Sequence, residues 1–360
     1  YFRRSELLGI LERAGVETKI TDNFQIDSVK YSDSTIIIPL AQPYGNFAKA
    51  ILEKQNYPNL LDEKGSPIPP YDVTAHTLSL LMNVEVKPFF KSFVYKTVKR
   101  GRGFGSGCGL GNGGSGKRDF RNLIYRSQIP VMDEGWTRWV FEKQDKINCN
   151  SPYEAVTDKA IREGELSRKT NTIIFPDQSP NQMLNGFAKG TMPDEYTGGI
   201  GKEGVANLRK FVEDGGTLVF LNRASDFAIE QFNLPVRDVT KGLPRKDFYI
   251  PGSILRTEID TGNPIAKGMP AQSIAWFEDS PAFEITQARE SPVQIIAKYP
   301  ENPKDILLSG WALGAEKIAG KAALVSVPMG KGKIILFGFR PQYRGQSLAT
   351  FPLLFNAISQ

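Results

Sequence analysis

The chain has 360 residues, 40% of them hydrophobic and 23% charged, which is the balance of a globular protein and excludes a disordered or fibrous one. Its longest apolar runs, such as Thr35–Leu40 and Ile334–Phe339, are strand-sized and fall short of the about 18 residues a membrane-spanning helix needs; a net charge of +6 spread along the chain is a poor fit to nucleic acid. A single histidine, His76, excludes sites built on several imidazoles, and the two cysteines, Cys108 and Cys149, allow one disulfide but no cysteine-rich metal centre.

At about 150 residues per domain the length suggests two domains. The opening Tyr1-Phe2-Arg3-Arg4 has neither an initiator Met nor a signal-peptide core and reads as the interior of a longer protein. Residues 4–14 predict an amphipathic helix with Leu7, Leu8, Ile10 and Leu11 on one side and Gly15 as its stop. Val16–Ile20 and Thr35–Pro39 read as strands, and Pro43 opens a helical run through Phe47, Ile51 and Leu52. Asp72 is placed to cap a helix from Val73 to Met82, with His76 inside it as a packed or surface residue; Val84–Val86 and Phe93–Val98 read as strands.

Residues 101–116 hold nine glycines in sixteen positions and read as a linker or loop. Gly109-x-Gly111-x-x-Gly114 and Gly111-x4-Gly116-Lys117 match phosphate-loop spacings by count, but Arg118 stands where a magnesium-binding hydroxyl belongs and a strand, Arg121–Ser127, follows instead of a helix. From there strands and helices alternate. The strands are Leu123–Arg126, Thr172–Phe175 and Thr217–Leu221. The helices start at Asp133, at the capping box Ser151-Pro152-Tyr153-Glu154 and at Glu203, with Ser225 capping another. After Phe248 strands dominate: Ile254–Ile259, Val293–Lys298 and Ala322–Val327, the last joined through Gly330-Lys331-Gly332 to Lys333–Phe339 before a closing helix around Leu353–Ile358. The predicted fold class is α/β: a flavodoxin-like doubly wound sheet with a β-rich C-terminal part and an N-terminal α/β segment. The expected divisions are 1–98, a linker at 99–120, and 121–360 with a β-rich insertion at about 248–330.

In such a sheet ligands bind beyond the carboxyl ends of the strands. That rule selects Asp133, Glu134 and Trp136 at the start of one helix, Asp177 with Gln178 after the next strand, Arg223 and Ser225 in the strand-to-helix bend Asn222–Ser225, and Arg340, Tyr343 and Arg344 after the last strand. Each has a structural alternative: helix caps for Asp133, Glu134 and Ser225, a turn for Asp177, and solvated surface or structural salt bridges for the Arg340–Arg344 segment. The Gly-rich loop Lys189–Ile200 is a further candidate cover for a site.

Several segments resemble the region downstream of the catalytic domain in bacterial zinc carboxypeptidase-like proteins. They are Ile38-Pro39-Leu40-Ala41-Gln42-Pro43-Tyr44, Pro70–Thr74, Met132-Asp133-Glu134-Gly135-Trp136-Thr137-Arg138-Trp139, Lys189–Ile200, and Phe337-Gly338-Phe339-Arg340-Pro341-Gln342-Tyr343-Arg344-Gly345-Gln346. The resemblance implies a class I glutamine amidotransferase-like fold, a secreted or periplasmic location, and an upstream peptidase domain that carries the zinc. The family's His-x-x-Glu zinc pair and later His are not found in this sequence. The bend Asn222–Ser225 lacks the amidotransferase Cys, and no His follows residue 76. The expectation is therefore a non-catalytic accessory region with no catalytic residues, metal or cofactor of its own. Its partners would be the upstream peptidase domain and an anionic small molecule or peptide held by Arg223, Arg340 and Arg344 between Tyr343 and Trp136; an oligomer is compatible, a membrane partner is not expected. The alternatives are a structural or dimerisation module, and a hydrolase using only Asp133, Glu134 and Asp177.

Overall fold

The structure is a computed structural model that describes residues 2–98, 121–148, 153–166, 170–286 and 293–359. The Gly-rich 101–116 segment, Cys108, Cys149 and the Ser151-Pro152 pair lie outside the described residues. The chain divides into two units: residues up to 54 together with 76–98, and residues 55–75 together with everything described from 121 onward. Among the described residues no helix is long and apolar enough to cross a membrane.

In the smaller unit α1 (Phe2–Arg13) buries Leu7, Leu8 and Leu11, as its periodicity predicts. Short strands follow: β1 (Lys19–Ile20), β2 (Phe24–Ile26), β3 (Val29–Tyr31) and β4 (Ile36–Ile37), paired antiparallel as β1 with β4 and β2 with β3. Two helices complete the unit, α2 (Gly45–Leu52) and α3 (Leu78–Leu81). The helix expected from Val73 is thus reduced to its last turn, and His76 precedes it. The cause is a tertiary contact: within the larger unit the Thr74 amide and hydroxyl are bonded to the carbonyls of Pro251 and Gly252, and that hydroxyl lies 2.8 Å from Ser253 Oγ. Val84–Val86 forms no strand, and Phe93–Val98 contributes only one bridge, Thr21 to Thr97; Phe93 instead stacks on Phe24 at 5.7 Å.

The larger unit opens with β5 (Arg121–Arg126), α4 (Met132–Asn148), β6 (Tyr153–Thr157), α5 (Asp158–Glu163), β7 (Thr170–Phe175), α6 (Pro180–Asn185), α7 (Gly201–Glu213), β8 (Thr217–Leu221) and α8 (Ala224–Phe232). It continues with β9 (Val236–Asp238), β10 (Pro251–Ile259), β11 (Gln272–Glu278), β12 (Phe283–Ile285), β13 (Gln294–Lys298), β14 (Leu307–Ser309), β15 (Ala322–Met329), β16 (Gly332–Phe337) and α9 (Phe351–Ile358). The expected capping box at Ser151–Glu154 is corrected here: Tyr153–Thr157 is a strand, and the helix starts after it, with the Thr157 hydroxyl accepting the Ala160 amide.

The main path of the sheet runs β11-β10-β13-β15-β16-β8-β7-β5-β6. Five strands, β6-β5-β7-β8-β16, are mutually parallel. In chain order they stand second, first, third, fourth and fifth, which is the flavodoxin-like order. The remaining strands pair antiparallel and form the β-rich part. The β15–β16 hairpin turns through Gly330-Lys331, as predicted, with Gly330 at a φ of 58°. Both faces of the sheet are covered, so its central strands are continuous apolar runs. Along β16, Ile334 and Leu336 face one core with Leu208 of α7 and Phe227 of α8, while Ile335 and Phe337 face the other with Phe141 of α4 and Leu353 of α9.

Candidate functional site

The C-terminal ends of the parallel strands carry a network of charged side chains. β5 leads into α4, whose second residue is Asp133; β7 runs through Pro176 to Asp177; β8 runs into Asn222 and Arg223; β16 runs through Gly338-Phe339 to Arg340. At the bend after β8, Asn222 takes a left-handed conformation, φ 53°, and its amide donates to Phe337 O on β16 at 2.8 Å. This places the Arg223 side chain over the end of β7.

Arg340 is the hub. Its Nε donates to both oxygens of Asp133 (3.1 and 3.3 Å), its Nη2 to Asp177 Oδ2 (2.8 Å), and its Nη1 to the Glu278 carbonyl (2.6 Å) with the Glu278 carboxylate at 3.4 Å. The Arg340 side chain is only 7% exposed, and Asp177 is 3%. Asp177 receives five donors: Arg340 Nη2, Arg223 Nη2 (2.7 Å), Arg223 Nε (3.0 Å), the Arg223 amide (3.0 Å) and Asn222 Nδ2 (3.0 Å). Burial alone would push its carboxyl up, but the Arg223 hydrogen bonds and the charges of Arg340 and Arg223 outweigh that and hold it below the usual range. Asp133 is the opposite case. Burial raises it to about 7, with the Asp177 charge adding to the rise, and Arg340 offsets only part of this.

The other expected site residues have different places. Glu134 does not join the network; it faces Arg138 one turn on, at 3.5 Å. Ser225 is buried inside α8 and directs its hydroxyl at Phe337 O (3.0 Å) and Phe220 O (3.3 Å), so it ties two strands together and is neither a helix cap nor exposed at the bend. Asp133, likewise, turns its carboxylate to Arg340 and not back onto its helix. Tyr343 is packed between aromatic rings, stacked on Trp276 at 3.7 Å and met edge-on by Trp136 at 5.4 Å. Arg344 donates to both oxygens of Asp72 (2.8 and 3.0 Å) and remains 41% exposed. Gln178 is buried and reaches Ile129 O at 3.4 Å. The Lys189–Ile200 loop is closed at its base, where Gly198 N donates to Phe187 O at 2.8 Å, while Met192 and Tyr196 stand exposed.

Glu278 and Trp276 are the site residues that sequence reading missed. Both belong to β11, whose stretch Gln272-Ser273-Ile274-Ala275-Trp276-Phe277-Glu278 places Ile274, Trp276 and Phe277 close together and so carried a strand signal. A further, half-buried carboxylate, Asp226 on α8, is also raised to about 7, by desolvation first and then by the neighbouring Asp238 charge. Among the described residues no group of three or more His, Cys, Asp or Glu side chains is placed to hold a metal ion.

No known family and no curated protein matches the sequence. Solved structures similar to the chain include a ThuA-like protein from Bacteroides uniformis (16% identity, 66% of this chain and 89% of that one, TM-score 0.38). A GMP synthase component from Thermoplasma acidophilum (10%, 67% and 95%, 0.40) and a glutamine amidotransferase from Thermotoga maritima (8%, 62% and 76%, 0.36) are also similar. With TM-scores below 0.5, these likenesses add nothing to the flavodoxin-like strand order that the hydrogen-bond ladders already establish.

Proposed function

We propose that the chain is a non-catalytic accessory region whose larger unit is a degenerate amidotransferase-like domain of an exported zinc carboxypeptidase-like protein. One observation carries this reading: at the strand ends where a doubly wound enzyme keeps its reactive groups, Arg340 and the carboxylates of Asp133 and Asp177 are committed to one another. The bend after β8 offers Ser225, whose hydroxyl is spent on main-chain carbonyls, and the sequence has no histidine beyond His76 to activate it. A carboxylate-only hydrolase is the weaker alternative, because Asp133 and Asp177 converge on a guanidinium and not on open space, and Glu134 faces away from them.

Ligand contact is then left to the half-exposed arginines, Arg223 at 41% and Arg344 at 41%, each of which would trade a carboxylate of this chain for one on an anionic peptide or small molecule. The test is a pair of measurements on the purified chain. Hydrolysis of glutamine and of peptide substrates, with and without added zinc, is expected to stay at the buffer rate. Melting temperature with carboxylate-bearing peptides, sugars and nucleotides is expected to rise for an anionic compound and to lose that rise in Arg223→Gln. Turnover by the chain contradicts the non-catalytic reading; no shift from any anion contradicts the ligand.

A further inference from the structure

We propose that the strand-end network is a proton-binding site, with one proton held on Asp133 and the side-chain amide of Gln342 reversing as that proton comes and goes. The network groups three carboxylates, Asp133, Asp177 and Glu278, around two guanidiniums, Arg223 and Arg340, so full ionisation leaves one negative charge in excess. The hydrogen bonds decide where a neutralising proton goes. Asp177 has five donors, and Glu278 is 33% exposed and can be hydrated. Asp133 has a single shared N–H from Arg340 and a long contact of 3.4 Å from Gln342 Nε2. The Thr137 hydroxyl, one turn along α4, is spent on the Asp133 carbonyl at 2.7 Å. Among the described residues the charges that act on Asp133 are Arg340 from the corner after β16, Asp177 from β7 and Arg223 from the start of α8, with Glu278 of β11 on the far side of the Arg340 guanidinium. The raised Asp133 carboxyl follows from the same arrangement, with burial as its main cause.

Gln342 supplies an independent observation. Its side chain is fully buried, its Nε2 points at Asp133 and at Thr137 Oγ1 (3.2 Å), and its Oε1 makes no hydrogen bond among the described residues. An amide that offers N–H to Asp133 suits the ionised carboxylate. A half-turn about the last side-chain torsion exchanges Nε2 for Oε1 and offers an acceptor to the hydroxyl of the protonated acid, giving up the bond to Thr137. Proton uptake from water takes the network from one net negative charge to neutral, and no other reactant is involved.

The experiment is a pH titration from 5 to 9 of the whole chain, labelled with 13C at aspartate carboxyls and 15N at glutamine amides, read by NMR. Asp133 is assigned by its loss in Asp133→Asn, and Asp226, which also titrates in this range, by its loss in Asp226→Asn. The expected result is that the Asp133 carboxyl and the Gln342 amide move with a common midpoint near neutrality. In Gln342→Met, which keeps Asp133 in place, the Asp133 midpoint is expected to shift. An Asp133 that stays ionised down to pH 5 overturns the proton site; a Gln342 resonance that ignores the titration, or an unchanged midpoint in Gln342→Met, overturns the amide reversal. If Asp133→Asn does not fold, the Asp133 carboxyl is assigned in the parent by through-bond correlation to its own backbone amide, and the same comparison with Gln342→Met applies.

Discussion

Arg340 and Asp133 are 207 residues apart in sequence yet within 3.1 Å, and Arg340 and Asp177 are within 2.8 Å. Removing one partner from a buried ion pair strands the other, at a cost of roughly 3–5 kcal/mol. Arg340→Met is therefore expected to lower stability by that order in urea unfolding. Arg340→Lys should recover little, because one ammonium cannot reproduce three separately directed N–H groups. A melting temperature for Arg340→Met within a degree of the parent would count against a hub role. Asp177 and the half-buried Asp226 predict opposite pH behaviour. Asp177, held low by its partners, contributes stability above the usual carboxylate range that is lost as pH falls. Asp226, raised to about 7 from 3.8, does the reverse: between those values the folded state binds the extra proton, so its ionisation erodes stability as pH rises toward 7. Asp226→Asn should accordingly be more stable than the parent at pH 8, by roughly 1–3 kcal/mol, with the advantage vanishing near pH 4. Parallel stability profiles for the two proteins across that range would show that Asp226 is not perturbed.

At the level of elements, what could be read from sequence depended on burial. β8 and β16 carry near-continuous apolar runs and β7 closes on Ile173-Ile174-Phe175 because both faces of the sheet are covered, and each was legible as a strand. The β15–β16 hairpin announced itself through Gly330-Lys331. β6 did not: it is the edge strand of the parallel set, with Glu154 and Ala155 exposed, and its flanking Ser151-Pro152 imitates a helix start. The misread helix at Val73–Met82 failed for a different reason, since Thr74 finds its partners on a strand some 180 residues away, which no local pattern reports. The strand-end rule located Asp133, Asp177, Arg223 and Arg340, but not their pairing, because periodicity carries no information on which side chain meets which. Two substitutions separate core from cap. Leu336→Ala, at a fully buried position of β16, should cost about 2–5 kcal/mol. Thr157→Ala, which removes only the cap of α5, should cost about 1 kcal/mol. Chemical denaturation of both variants checks the ordering, and a larger loss from Thr157→Ala than from Leu336→Ala would contradict the assigned packing.

For the whole molecule, the central claim is that a flavodoxin-like sheet has its strand ends tied off by charges of the same chain; the proposal of a binding or packing role rests on that claim. The most direct measurement is a double-mutant cycle in unfolding free energy on Arg340→Met and Asp177→Asn. Residues that share a buried ion pair couple, whereas distant ones add. The account predicts that the double variant loses much less stability than the two single losses combined, with a coupling of roughly 2 kcal/mol or more. Additive losses, with a coupling near zero, would show that the two side chains do not depend on each other and that the strand ends are free for another role.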